Sequence, residues 1–176
     1  MYPPQNTPTA KFNTQYFPLH VALLSVENNL MPMGHWMVIS KDPFRFLLAM
    51  GVGNHTLTLL RKHKEACLHF LPWSERERVA RAGHLSGRTV DKAGLLGFNL
   101  LPAAKLQVTR LVEGADSAYE LVVNRELPPN LSREFVLFIM DVVYTHGTLL
   151  PTQHEPILYL SDEDFATLGE RWQYKK

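Results

Sequence analysis

Between Met50 and Leu57 the chain reads Gly51-Val52-Gly53-Asn54-His55-Thr56. Two glycines let the backbone come close to a ligand. The residues after them have the pattern of a helix start, and the first N–H groups of a helix find no partner inside it. Such an end attracts an anion, a phosphate above all. Asn54 and Thr56 either cap that end or donate to the anion. His55 adds a hydrogen bond, or charge when protonated. The alternative is an ordinary helix cap after a turn, because short glycine motifs recur by chance. The bend lacks the third glycine of the dinucleotide fingerprint, and no strand–helix alternation comes after it.

A second cluster lies at Ser86-Gly87-Arg88-Thr89, just before Asp91-Lys92. Two cations and two hydroxyls so close together are either a second anion clamp facing the first or a solvated loop with an internal Asp91–Lys92 pair. Eight histidines raise the question of a metal. The tightest group is His63, Cys67 and His69. Zinc needs four such ligands, or three and an open position, and there is no second cysteine. Cys67 reads instead as a small core residue, and no metal ligand is assigned. No G-x-S-x-G nucleophile motif is present. Asp42, Asp91 and Asp141 are spread out, so no catalytic residue is assigned either.

The elements that must position these groups are mostly strands. Strand patterns cover Pro18–Val26, Met33–Ser40, Phe44–Met50, Ala66–Leu71, Leu106–Glu113, Ala118–Asn124 and Phe135–Tyr144, with a short one in the tail. Helix patterns cover Thr56–Glu65 and Ser74–Ala82, the second with Ser74 as cap and Glu77 at the capping-box position. Residues 86–101 read as part loop, part short helix. The sum is an α+β, β-dominated barrel with two or three peripheral helices.

With 176 residues, one domain is expected, spanning 17–176 behind a proline-rich arm at 1–16. A net charge of +1 gives no pull towards nucleic acid. One cysteine rules out an internal disulfide and fits a reducing compartment. No signal-peptide pattern and no spanning stretch is visible. The expectation is a cytoplasmic protein with no membrane and no nucleic-acid partner.

Several fragments resemble the flavin-reductase-like proteins, including the flavoredoxins, whose fold is the FMN-binding split barrel. They are Asn29-Leu30-Met31, Gly34 to Pro43, Met50-Gly51, Thr56 to Leu60 and Phe70-Leu71-Pro72. Ala82 to Lys92, Leu111 to Gly114, Glu120-Leu121, Pro156 to Leu160 and Leu168-Gly169 come next, in order. The resemblance implies FMN held noncovalently at a homodimer interface. It puts Gly34, His35, Trp36, Met37, Val38 and Ser40 along the isoalloxazine and ribityl chain. It puts Met50, Gly51, Val52, Gly53, Asn54, His55, Thr56 and Leu57 around the phosphate, with Asp91 and Lys92 approaching the same ligand. It also implies an oxidoreductase or flavoredoxin-like electron carrier, served by NAD(P)H or a redox protein; the alternative is a flavin- or ligand-binding module without turnover. Relatives that use NADH often carry Gly-Asp-His where this chain has Arg133-Glu134-Phe135, and often Trp where His35 stands. These departures imply slow reduction by NADH.

Overall fold

A computed structural model of the chain describes residues 17–147, 154–161 and 164–169; the expected arm at 1–16 lies outside them. Twelve strands and three α-helices are arranged along these residues: β1 Leu19–His20, β2 Ala22–Val26, β3 Asn29–Met33, β4 Trp36–Lys41, β5 Phe44–Gly51, α1 His55–His63, β6 Glu65–Phe70, α2 Arg76–His84, α3 Lys92–Leu96, β7 Leu100–Pro102, β8 Arg110–Val112, β9 Ser117–Glu126, β10 Phe135–His146, β11 Leu158–Ser161 and β12 Asp164–Ala166. Seven of the strands form one curled antiparallel sheet in the order β3-β2-β6-β9-β10-β5-β4. Two small sheets, β1-β11-β12 and β7-β8, flank it. The β-dominated split barrel expected from the sequence is what forms.

The period-two alternation of β2 builds both cores. Ala22, Leu24 and Val26 enter the barrel with Phe46, Leu48, Met50, Leu68, Leu121, Phe138 and Met140. Val21 and Leu23 point the other way, into a second core with Leu30, Val79, Ala82, Ala93, Leu96 and Phe98. Helix α1 buries Leu57 and Leu60 in the first core, while α2 and α3 cover the second. Cys67 is fully buried, as its reading as a core residue required.

Several boundaries differ from expectation. The run Met33–Ser40 is not one strand: the chain leaves β3 at Met33, turns through Gly34-His35, and starts β4 at Trp36. Pro18–Val26 is likewise divided at Val21, whose N–H goes to Ile157 O at 2.8 Å rather than along one ladder. At the head of α2 a 3-10 turn, Trp73–Glu75, occupies the place of the expected cap, and no side chain caps the helix. Glu75 instead pairs with Arg78 at 2.6 Å.

The largest difference is at Leu106–Glu113, where only Arg110–Val112 is strand. The preceding segment hangs on two carboxylates. Glu120 accepts from the N–H groups of Ala104, Lys105 and Leu106, at 2.7, 2.7 and 3.1 Å. Glu65 accepts from Gln107, Val108 and Thr109, at 3.1, 2.8 and 2.7 Å. His146 closes the back of Glu120 at 2.6 Å.

Candidate functional site

The bend after β5 is closed by the Asn54 N–H on Gly51 O, 3.0 Å. Asn54 is extended at the N-cap of α1, yet its side chain caps nothing there. Its amide donates to Met31 Sδ at 3.1 Å instead. No acidic residue occupies the first turn of α1. The helix therefore presents N–H groups and dipole without an internal counter-charge.

Across from this end runs the loop after α2. Arg88 Nη2 donates to Gly53 O at 3.1 Å, so an exposed guanidinium leans on the bend itself. Gly87 sits against Asn29, where an added Cβ would lie 1.9 Å from Oδ1. Asn29 Nδ2 donates to Thr56 Oγ1 at 2.8 Å, which leaves the threonine hydroxyl proton free to donate elsewhere. The Asn29 Oδ1 atom is buried with no partner among the described residues. These groups enclose a cleft of about 340 Å³, with Gly53, Asn54, His55 and Thr56 on one wall and Ser86, Gly87 and Arg88 on the other. Among the described residues no carboxylate lines it. Uncapped helical N–H groups, an arginine and a hydroxyl donor suit a phosphate.

Two expected ligands of the anion have other work. Asp91 caps α3, accepting from Ala93 and Gly94 N–H at 3.1 and 3.3 Å. Lys92 is 6% exposed. Its ammonium donates to Leu30 O at 2.9 Å and Ala82 O at 2.8 Å, stitching β3 to α2 beneath the cleft, and burial lowers its pKa. Of the two cations in that cluster, Arg88 is the exposed one that faces the bend, and Lys92 lies buried beneath it. Lys92 still forms part of the cleft wall. Arg88 and Asn29 were not singled out as cofactor ligands, since only the folded loop shows which cation faces the bend.

The remaining sequence candidates divide by orientation. Met50 and Leu57 are core residues, 0% and 4% exposed, and line neither the phosphate-sized cleft nor the one beside it. Gly51 serves the turn, while Val52 is exposed and sends its N–H to Glu134 O at 3.0 Å. Gly34 and His35 line an apolar cleft of about 380 Å³ between α2 and the β1-β11-β12 sheet. It shares Pro32 and Gly83 with the phosphate-sized cleft, so the two adjoin. Gly34, His35, Trp36 and Met37 also line a smaller hollow with Leu47 and Ala49. The Trp36 ring turns inward, against Phe46 and Phe70, with Nε1 on His20 O at 2.8 Å. Val38 and Ser40 line none of these clefts, and Val38 is exposed on the β4 edge.

His35 and Phe135 meet, ring centroids 5.0 Å apart. An imidazole from the β3–β4 turn thus lies beside Phe135. Of the suspected metal cluster, His69 uses both ring nitrogens internally, on Leu23 O and Val112 N–H, both at 2.9 Å. Burial, followed by the weaker opposing pull of Leu23, leaves its pKa at about 4.

The chain belongs to the family described as flavin reductase like domain, whose model matches residues 14–169. No curated protein matches significantly in sequence. Among solved structures, an FMN-binding protein from Thermus thermophilus with bound p-hydroxybenzaldehyde superposes with a TM-score of 0.85 at 22% identity, covering 99% of this chain and 100% of that one. A flavoredoxin from Methanosarcina acetivorans gives 0.80 at 18% identity, over 96% and 95% of the two chains. Nitrilotriacetate monooxygenase component B from Bacillus cereus gives 0.83 at 15% identity, over 99% and 100%. At these identities the likeness is one of fold. No helix among the described residues is long and apolar enough to cross a membrane.

Proposed function

We propose that this member of the flavin reductase-like family binds FMN noncovalently and works as an oxidoreductase or a flavoredoxin-like electron carrier. The phosphate takes the cleft between the α1 N-terminus and Arg88, and the isoalloxazine extends towards Gly34 and His35. One observation carries the reading: the cleft has an uncapped helix start, an arginine and a hydroxyl donor, and no carboxylate among its described lining residues. The adjoining apolar cleft suits a flat ring system. Names of the fold relatives, an FMN-binding protein and a flavoredoxin, agree with it.

When bound, FMN supplies the redox chemistry; the chain's residues bind it, orient it and shield it. Arg88 and the first turn of α1 neutralise the phosphate, while Pro32, Gly34 and His35 set where the ring lies. A second subunit is part of the proposal. Met37, Val38 and Ile39 are exposed in succession on the edge strand β4, and such an edge recruits another chain. Sedimentation should give a dimer at micromolar concentration; a species of only 20.1 kDa refutes this part.

Absorption spectra with added FMN test the main reading. Arg88→Ala removes hydrogen bonds to a charged acceptor and should cost about 1.5–3 kcal/mol of binding, roughly ten- to a hundredfold in Kd. Unchanged affinity moves the phosphate elsewhere. Stopped-flow mixing then separates carrier from reductase. Slow bleaching by NADH with ready bleaching by dithionite is expected from Phe135, and completion within milliseconds by NADH contradicts it.

A further inference from the structure

One cluster of side chains has no part in the flavin site. His154 Nδ1 lies 2.6 Å from Asp116 Oδ2, and His154 Nε2 lies 3.4 Å from His20 Nε2. The carboxylate accepts the Nδ1–H of His154, so in the neutral ring the Nε2 lone pair faces His20. Three separate parts of the chain bring these groups together. His20 is in β1, Asp116 precedes β9, and His154 precedes β11, the strand with which β1 pairs.

The groups are held in place by their surroundings. The His20 ring packs against Phe70 and Trp36, with centroids 4.9 and 5.5 Å away. Its carbonyl accepts from Trp36 Nε1 at 2.8 Å. The Asp116 N–H meets Phe70 O at 2.9 Å. The His154 and Asp116 side chains are each 19% exposed, so a small ion reaches them from solvent.

The 3.4 Å between the two Nε2 atoms decides the chemistry. It is long beside the about 2.7–3.2 Å of a good N–H hydrogen bond. Two imidazole nitrogens, each about 2.0–2.1 Å from a tetrahedral zinc ion, are about 3.3–3.4 Å apart. A carboxylate on the far nitrogen is the usual outer partner of a zinc-bound histidine: it fixes the tautomer, orients the ring and makes it a stronger donor.

We propose that His20 and His154 bind a divalent transition-metal ion of the zinc type through their Nε2 atoms, with Asp116 orienting His154. Imidazole ligands select zinc, copper and nickel over magnesium and calcium. Among the described residues no group of three or more His, Cys, Asp and Glu is placed to hold a metal. Water therefore fills the other positions, and the ion exchanges. Once bound, it ties β1 to the segment before β11, and so braces the wall of the apolar cleft that Leu19, Tyr159 and Phe165 form. The proposal stands whether or not that cleft takes a flavin ring.

Calorimetric titration of the full chain, free of any histidine tag, with zinc chloride tests it, and magnesium chloride is the control. One zinc per chain and no magnesium is the expected result. His20→Gln and His154→Gln each remove a ligand and should abolish the binding. Asp116→Asn keeps an acceptor oxygen but removes its charge, and should weaken zinc about ten- to a hundredfold. Nitrogen-15 spectra of the histidine rings in the unmutated protein keep the test valid where a variant fails to fold. Zinc should shift the Nε2 signals of His20 and His154 among the eight rings. No zinc heat, an affinity unchanged by Asp116→Asn, or ring shifts confined to the other histidines would each overturn the proposal.

Discussion

Two regions of the molecule collect backbone N–H groups, and they treat them in opposite ways. In the segment 104–109, six successive N–H groups point at Glu65 and Glu120, which the chain supplies itself. At the start of α1 the N–H groups face a cleft whose described lining holds no carboxylate. The first arrangement is closed and needs nothing from outside. Burial pushes the Glu120 carboxyl up, but His146 and the N–H groups of Ala104 and Lys105 outweigh it, and its pKa is lowered. Glu65 behaves alike: burial raises it, and Gln107, Thr109 and Val108 bring it below the ordinary value. The second arrangement has no acid of its own, and in the proposed reading an FMN phosphate takes that place. The same donors make a strut where the acid is internal and leave room for an outside anion where it is withheld.

Removing an internal acid should give the largest effect. Glu120→Gln keeps the shape but turns an amide towards the Ala104, Lys105 and Leu106 N–H groups, so unfolding free energy should fall by about 1–3 kcal/mol for each donor left unsatisfied. Chemical denaturation measures it; a loss below about 1 kcal/mol means other contacts hold the segment.

Acid attacks the closed region next. A histidine protonates near 6.5 when unfolded, whereas His69 does so at about 4 in the fold. The unfolded chain therefore binds the extra proton between those values, and stability falls as pH drops through that window, on the order of 3 kcal/mol. Glu65 and Glu120 add to the loss lower down: their folded pKa values are depressed from 4.5, so their contribution is full above that value and disappears as pH falls through the folded ones. Thermal unfolding across this range checks the slope, and a flat profile down to about pH 4 contradicts it.

Smaller effects belong to the open region. Gly87→Ala forces Asn29 aside and disturbs its bond to Thr56, costing about 1–3 kcal/mol and weakening flavin binding. Gly53→Ala should change stability by less than about 0.5 kcal/mol, because its Cβ meets nothing within 4 Å. Equal effects at the two glycines would show that the cleft is not open at Gly53.

The contrast also explains what could be read in the sequence. Gly53, Asn54, His55 and Thr56 lie within four residues, so a local motif announces their common wall. Strands β5 and β10 were equally legible, since burial on one face writes a period of two into them, whereas β3 was missed and β4 was begun too early, at Met33. Residues 106–109 were not, because their alternation imitates a strand. What bends them is Glu65, about 40 residues away, and no window on the sequence contains both. Lys92 failed for the same reason: its partners Leu30 and Ala82 are brought to it by β3 and α2. Arg88 and Lys92 are equally cationic, and only packing decides which of them meets the solvent.

That stitch gives Lys92 a further property. An amine-reactive label attacks the unprotonated nitrogen and must reach it, yet this nitrogen is covered and has both carbonyls as acceptors. Modification at Lys92 therefore requires β3 and α2 to part, whereas surface lysines such as Lys62 react directly. Mass spectrometry of a timed labelling series thus turns one side chain into a clock for the opening of the cleft floor, and a bound anion above it should slow that clock without touching the others.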